Sequence, residues 1–137
     1  MPFETTITHR IMKYLNNTDR TIMEKVKGEA ECSGRADING CYHGRSVRIE
    51  VKTPDNRNKP SKKQLYNLWE WHKAGALVMV VYSVEAVERA FSLYDKLKDW
   101  NLYDIIKEPN GCKSFIVLPH DQEHCLPFSF FYNMYYG

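Results

Sequence analysis

The sequence has no long hydrophobic run. Its longest unbroken apolar stretch, Ala76 to Tyr82, is seven residues, whereas a membrane-spanning helix needs about 20. No two of its four cysteines (Cys32, Cys41, Cys112 and Cys125) form a CxxC, the spacing of compact zinc and thiol-redox motifs. The N-terminus carries Glu4 and lacks a basic stretch followed by an apolar one. No secretory signal is therefore expected, and the thiols are expected to be free. Internal repeats and low-complexity tracts are absent as well. What is there is 137 residues, 43% hydrophobic and 26% charged, enough for one domain with a real core.

The formal charge is only +2, from 19 basic and 17 acidic residues, but it is unevenly placed. Between Arg45 and Lys63 stand seven bases (Arg45, Arg48, Lys52, Arg57, Lys59, Lys62 and Lys63) against Glu50 and Asp55. That is +5 in 19 residues, leaving −3 for the remainder. One basic band in a nearly neutral chain suggests a local polyanion site. Most charge runs are solvated loops, but this one surrounds a carboxylate pair with catalytic spacing.

The periodicities predict the element order α-β-β-β-α-β-α-β-β, an α+β mixed sheet with helices packed on it. Phe3, Ile7, Ile11 and Leu15 recur every four residues, so 3–15 reads as a helix. Residues 21–27 read as a strand and 29–35 as a loop. Residues 36–52 read as a hairpin turning at His43-Gly44, in which Val47, Ile49 and Val51 alternate with Arg48, Glu50 and Lys52. After the polar loop 53–60, Ser61 and Gln64 have capping-box spacing and open a helix that runs to Gly75. Ala76–Tyr82 is a strand covered on both faces. Residues 84–97 are helical, and 102–118 form a second hairpin turning near Asn110-Gly111, with Glu108 facing Lys113. The tail 126–137 is dense in aromatics and reads as core or interface, with interface preferred.

The first hairpin carries the chemistry. A symmetric turn at His43-Gly44 sets Ile38 opposite Ile49 and Asp37 opposite Glu50. Directly opposed residues on one face have Cβ atoms ~4.5–5.5 Å apart. Two carboxylates that close repel unless a cation or a shared proton separates them. Lys52 lies on the same face as Glu50. Mg²⁺ takes one or two carboxylates and keeps several waters. It would polarise a phosphodiester and acidify a water, and Lys52 would stabilise the developing charge. Lys59, Lys62 and Lys63 would hold the phosphate backbone. Read blandly, Glu50 and Lys52 are surface residues and Asp37 an edge acid.

Gly34-Arg35-Ala36-Asp37-Ile38-Asn39-Gly40, the hairpin through Gly44, Glu50-Val51-Lys52, Lys59-Pro60-Ser61-Lys62-Lys63-Gln64 and Ala74-Gly75 together resemble a VRR-NUC domain. That is the virus-type replication-repair branch of the PD-(D/E)xK nucleases. The likeness covers residues 1–95, while 100–137 lies outside it. It implies a restriction-endonuclease-like sheet with an α-β-β-β-α-β core over 1–99 and a C-terminal extension, 100–137, in the same domain or at a dimer interface. It also implies a metal-dependent DNA endonuclease using Mg²⁺, with Mn²⁺ able to substitute. Asp37, Glu50 and the Val51 carbonyl would be metal ligands, Lys52 the catalytic lysine and Gln64 a helix residue approaching the site. Glu4 is the candidate for the first-helix glutamate that often joins such sites. Arg35, Arg57, Lys59, Ser61, Lys62 and Lys63 would contact nucleic acid. Single-domain relatives resemble Holliday-junction resolvases, which implies a homodimer and a branched DNA substrate. The expected location is the cytoplasm, or the host cytoplasm for a virus-encoded member. Ala36 stands where the family name has proline.

Three alternatives stay open. Gln64 can be the capping partner of Ser61, the active-site residue, or both. Glu4 can simply complement the helix dipole. The protein can be a non-catalytic nucleic-acid-binding module, or a nicking or restriction-like nuclease. Among other residues, His43 reads as a turn residue, and His9 and His72 as helix-surface or boundary residues. Cys112, His120, His124 and Cys125 match no compact zinc motif.

Overall fold

A computed structural model describes residues 6–26, 34–54, 58–96, 102–119 and 124–137, and the backbone alone of 3–5. The elements are α1 (Phe3–Asn16), β1 (Thr21–Lys25), β2 (Ile38–Tyr42), β3 (Arg45–Val51), α2 (Lys62–Lys73), β4 (Leu77–Val81), α3 (Val84–Asp95), β5 (Tyr103–Lys107), β6 (Lys113–Val117) and α4 (Phe128–Tyr136). The six strands form one mixed sheet in the order β1-β2-β3-β4-β6-β5. Among the described residues, β3 and β4 alone pair in parallel, which requires a crossover, supplied by α2. None of the described helices is long and apolar enough to cross a membrane.

β4 is buried along its length and divides the core. Leu77, Met79 and Val81 meet Ile7, Ile11 and Leu15 of α1 and Val87, Ala90 and Phe91 of α3. Val78 and Val80 meet Leu65 and Leu68 of α2, Phe115 of β6 and Phe131 of α4. Val47, Ile49 and Val51 of β3 belong to the α1/α3 layer. By strand alternation, Arg48 and Glu50 face the α2/α4 side.

The β2–β3 register is the expected one, with Ile38 paired to Ile49 and Tyr42 to Arg45. It follows from the turn, where His43 (φ 48°) and Gly44 (φ 87°) both take positive φ, the requirement of a two-residue hairpin that matches strand twist.

Three expectations change. The second hairpin pairs Lys107 with Lys113, and Glu108 N–H reaches the Cys112 carbonyl at 2.9 Å, so Glu108 does not face Lys113. Its loop is a three-residue 3₁₀ turn, Pro109–Gly111, not a two-residue one, which moves the register by one. The Glu108 carboxylate instead accepts hydrogen bonds from Ser83 Oγ (2.7 Å) and Ser114 Oγ (2.8 Å). His72 is fully buried, not at the surface; its Nε2 accepts from Leu126 N–H at 2.9 Å. The aromatic tail contains a helix, α4, that the expected element order lacked, and its Phe131 packs within the chain. Phe131 is 1% exposed and lies 5.4 Å from Phe115 and 5.6 Å from His72, ring to ring.

Truncating Phe131 to Ala removes a fully buried ring from the α2/α4 layer. The expected loss is about 3–5 kcal/mol in urea unfolding. A loss below about 1 kcal/mol, the range of surface changes, would show that α4 is not core.

Candidate active site

Asp37 is held from both sides. Its backbone carbonyl accepts from Val26 N–H at 2.7 Å, and its Oδ2 accepts from Val51 N–H at 2.8 Å. The side chain thus continues the β2–β3 ladder where the strand's own backbone stops. Glu50 is 1% exposed. Lys52 Nζ lies 3.0 Å from Glu50 Oε2 and is itself only 15% exposed. Glu50 Oε1 is buried with no hydrogen-bond partner among the described residues. Burial, and then the nearby Asp37 charge, push the Glu50 carboxyl up to about 8 from 4.5; Lys52 pulls the other way without cancelling them.

This donor set fits a hard divalent cation. A buried carboxylate oxygen without a partner, and a second carboxylate repelling it, are both stabilised by a dication. Val51 N–H points to the Asp37 side, and its carbonyl faces the same side by strand geometry. Among the described residues no three His, Cys, Asp or Glu side chains cluster to hold a metal. The Val51 carbonyl and water would therefore complete the ligand shell, as Mg²⁺ tolerates. Glu4 lies in α1, which packs on the opposite layer from Glu50, and its side chain is outside the described residues.

The remaining candidates divide. Ser61 and Gln64 form the capping box in full: Ser61 N–H donates to Gln64 Oε1 (2.9 Å) and Gln64 N–H to Ser61 Oγ (3.0 Å). No hydrogen bond joins Gln64 to Asp37, Glu50 or Lys52 among the described residues. Lys63 lies across Gly34, whose φ is +88°; a Cβ there would sit 2.8 Å from Lys63 Cγ. Glycine thus lets the lysine stem lie on the loop that leads to Asp37. Ala36 is buried in the α2/α4 layer, a small residue where a ring would need room. Arg35 is exposed and acts electrostatically on Arg48. Arg57 lies outside the described residues.

The sequence reading did not connect Tyr132 and Tyr136 of the aromatic tail with the basic band. Lys59 Nζ sits 4.0 Å from the Tyr136 ring centre. Lys62 Nζ sits 5.5 Å from Tyr132 and 5.4 Å from Tyr136. Tyr136 also donates to the Pro60 carbonyl at 2.8 Å. The last turns of α4 therefore gather two lysines of the basic band on aromatic faces. The four-residue spacing of the two tyrosines was a visible helical signal, but nothing local tied it to lysines 70 or more positions away.

The chain matches no family model and no curated protein.

The raised Glu50 value has a sign that can be tested. The folded chain keeps a proton that the unfolded chain releases between about pH 4.5 and 8. In EDTA, this contribution is complete below pH 4.5 and is lost as pH rises through 8, by on the order of a few kcal/mol. Glu50→Gln should remove that slope in urea unfolding followed against pH. A wild-type profile that parallels the variant would mean that Glu50 is not buried beside a negative charge.

Proposed function

We propose that the protein is a metal-dependent endonuclease that hydrolyses DNA phosphodiester bonds. The observation that carries this reading is the buried Glu50, with one oxygen unpartnered and the other 3.0 Å from Lys52, set against Asp37. Burying such a pair costs stability, a cost that a bound dication would offset.

Asp37, Glu50 and the Val51 carbonyl would hold Mg²⁺ or Mn²⁺. When bound, such an ion supplies Lewis acidity toward the phosphodiester and a more acidic water. Asp37 has one oxygen committed to Val51 N–H, so its rotamer is fixed and the other oxygen is left for the ligand. Lys52 holds Glu50 in place and presents a positive charge where the transition state gains negative charge. Lys59, Lys62 and Lys63 grip the backbone without reading sequence. A branched DNA substrate and a two-fold dimer rest on the VRR-NUC resemblance, since a two-fold axis presents two sites to two strands.

Cleavage with Mg²⁺ on linear, nicked, flap and four-way DNA tests the reading. Asp37→Asn and Glu50→Gln should each lower turnover at least about 100-fold with the fold retained. Lys52→Ala should lower turnover with metal affinity largely kept. Ca²⁺ should support DNA binding with little hydrolysis. Binding in Mg²⁺ without cleavage of any substrate would leave a non-catalytic module instead.

Lys62→Ala combined with Lys63→Ala should weaken binding to all DNA sequences alike. It should also flatten the slope of log K against log salt by up to about 0.9 per duplex contact. An unchanged slope and affinity would mark the band as a solvated surface.

A further inference from the structure

Arg48 is a charge that the site described so far does not use. It stands two residues before Glu50 on the same face of β3, with Cα atoms about 7 Å apart at strand rise. Its guanidinium carbon lies 3.5 Å from the ring centre of Trp71, in the last turn of α2. Nη1 donates to the Val47 carbonyl at 2.9 Å. Among the described residues no carboxylate pairs with Arg48 within 4.0 Å. Asn39 sits directly across the ladder from Arg48, and its Oδ1 is buried without a hydrogen-bond partner. Glu24 faces Asn39 from β1 and is exposed, beyond ion-pair distance of Arg48.

A half-buried guanidinium is normally neutralised by an acid. Here it is fixed in direction by an indole, with no carboxylate paired to it among the described residues. That arrangement raises the cost of the site when empty and lowers it when an anion binds. Guanidinium forks match phosphate oxygens, and stacking fixes the plane of the fork in advance. The Cα separation from Glu50, about 7 Å, is on the scale of successive phosphates along a nucleic-acid strand.

We infer that Arg48, braced on Trp71, is a second phosphate site that holds the nucleic-acid backbone one step from the bond placed at Asp37 and Glu50. The position of the scissile bond rests on the nuclease reading; the phosphate site does not.

The test uses the full chain in Ca²⁺ with a short oligothymidylate, read across salt. Arg48→Met should weaken binding at least about fivefold and flatten the salt slope by about 0.7, one single-strand contact. Arg48→Lys should keep the slope and recover only part of the affinity, because an ammonium has no fork to stack. Trp71→Leu should weaken binding with the slope kept. Nitrogen-15 NMR of the wild-type chain guards against a variant that fails to fold. On titration with inorganic phosphate, the arginine Nε–H signal that Arg48→Lys removes should shift.

Wild-type affinity and slope in Arg48→Met, or an unmoved Nε–H signal, would overturn the inference. A phosphate response without any effect on oligonucleotide binding would assign the site to a free phosphoryl compound and overturn the backbone role. If wild-type protein cleaves no DNA in Mg²⁺ while Arg48→Met still loses affinity, the phosphate site stands and the nuclease reading falls. If wild-type protein cleaves and Arg48→Met keeps its KM and salt slope, the reverse holds.

Discussion

The hydrogen bond from Val51 N–H to the Asp37 carboxylate is the contact on which the candidate site depends. A backbone donor at the end of β3 needs an acceptor, and the β2 backbone no longer provides one. Asp37 does so with a side chain, while β1 fixes its carbonyl through Val26. The acid is thereby locked beside Glu50, with one oxygen committed and one free. A different turn at His43-Gly44 would slip the register by one. It would then set Ala36 or Ile38 against Glu50, and no paired carboxylate would form.

That pairing opposes stability. A buried acid lies beside a half-buried one, and Lys52, the one cation in contact with Glu50 among the described residues, offsets only part of the burial and repulsion. The rest of the molecule absorbs the cost through two packed layers. β4 contributes five buried residues in a row, alternately to one layer and the other. At the same end of the sheet, beyond β4, Glu108 takes hydrogen bonds from Ser83 and Ser114. Local disagreement between charge and burial, within a fold that is otherwise consistent, is the pattern expected at a working site.

The C-terminal helix joins the core to the basic band. Phe131 fills the layer under α2, and Trp69 donates to the Leu126 carbonyl at 3.0 Å. On another side of the same helix, Tyr132 and Tyr136 stack on each other, 5.2 Å between ring centres, and lie under Lys59 and Lys62. One short amphipathic element thus completes the core and restrains part of the basic band. Arg48 on Trp71 uses the same device at the other end of α2.

Much of the fold was legible in the sequence because its signals are local. Four-residue apolar spacing marked α1, and alternation marked β3. A turn pair with positive φ set the β2–β3 register, and with it the approach of Asp37 to Glu50 and Lys52. Ser61 and Gln64 announced the start of α2, and the structure gives Gln64 the capping role. What local pattern left undecided depended on loop length and long-range contact. The 3₁₀ turn at Pro109–Gly111 moved Glu108 away from Lys113. His72 became buried because Leu126, 54 positions on, supplies a backbone partner. The same holds for the lysines on α4 and for Arg48 on Trp71, whose neighbours come from other elements. Periodicity reports which face of an element is apolar, whereas the partner facing it is chosen only when the layers pack.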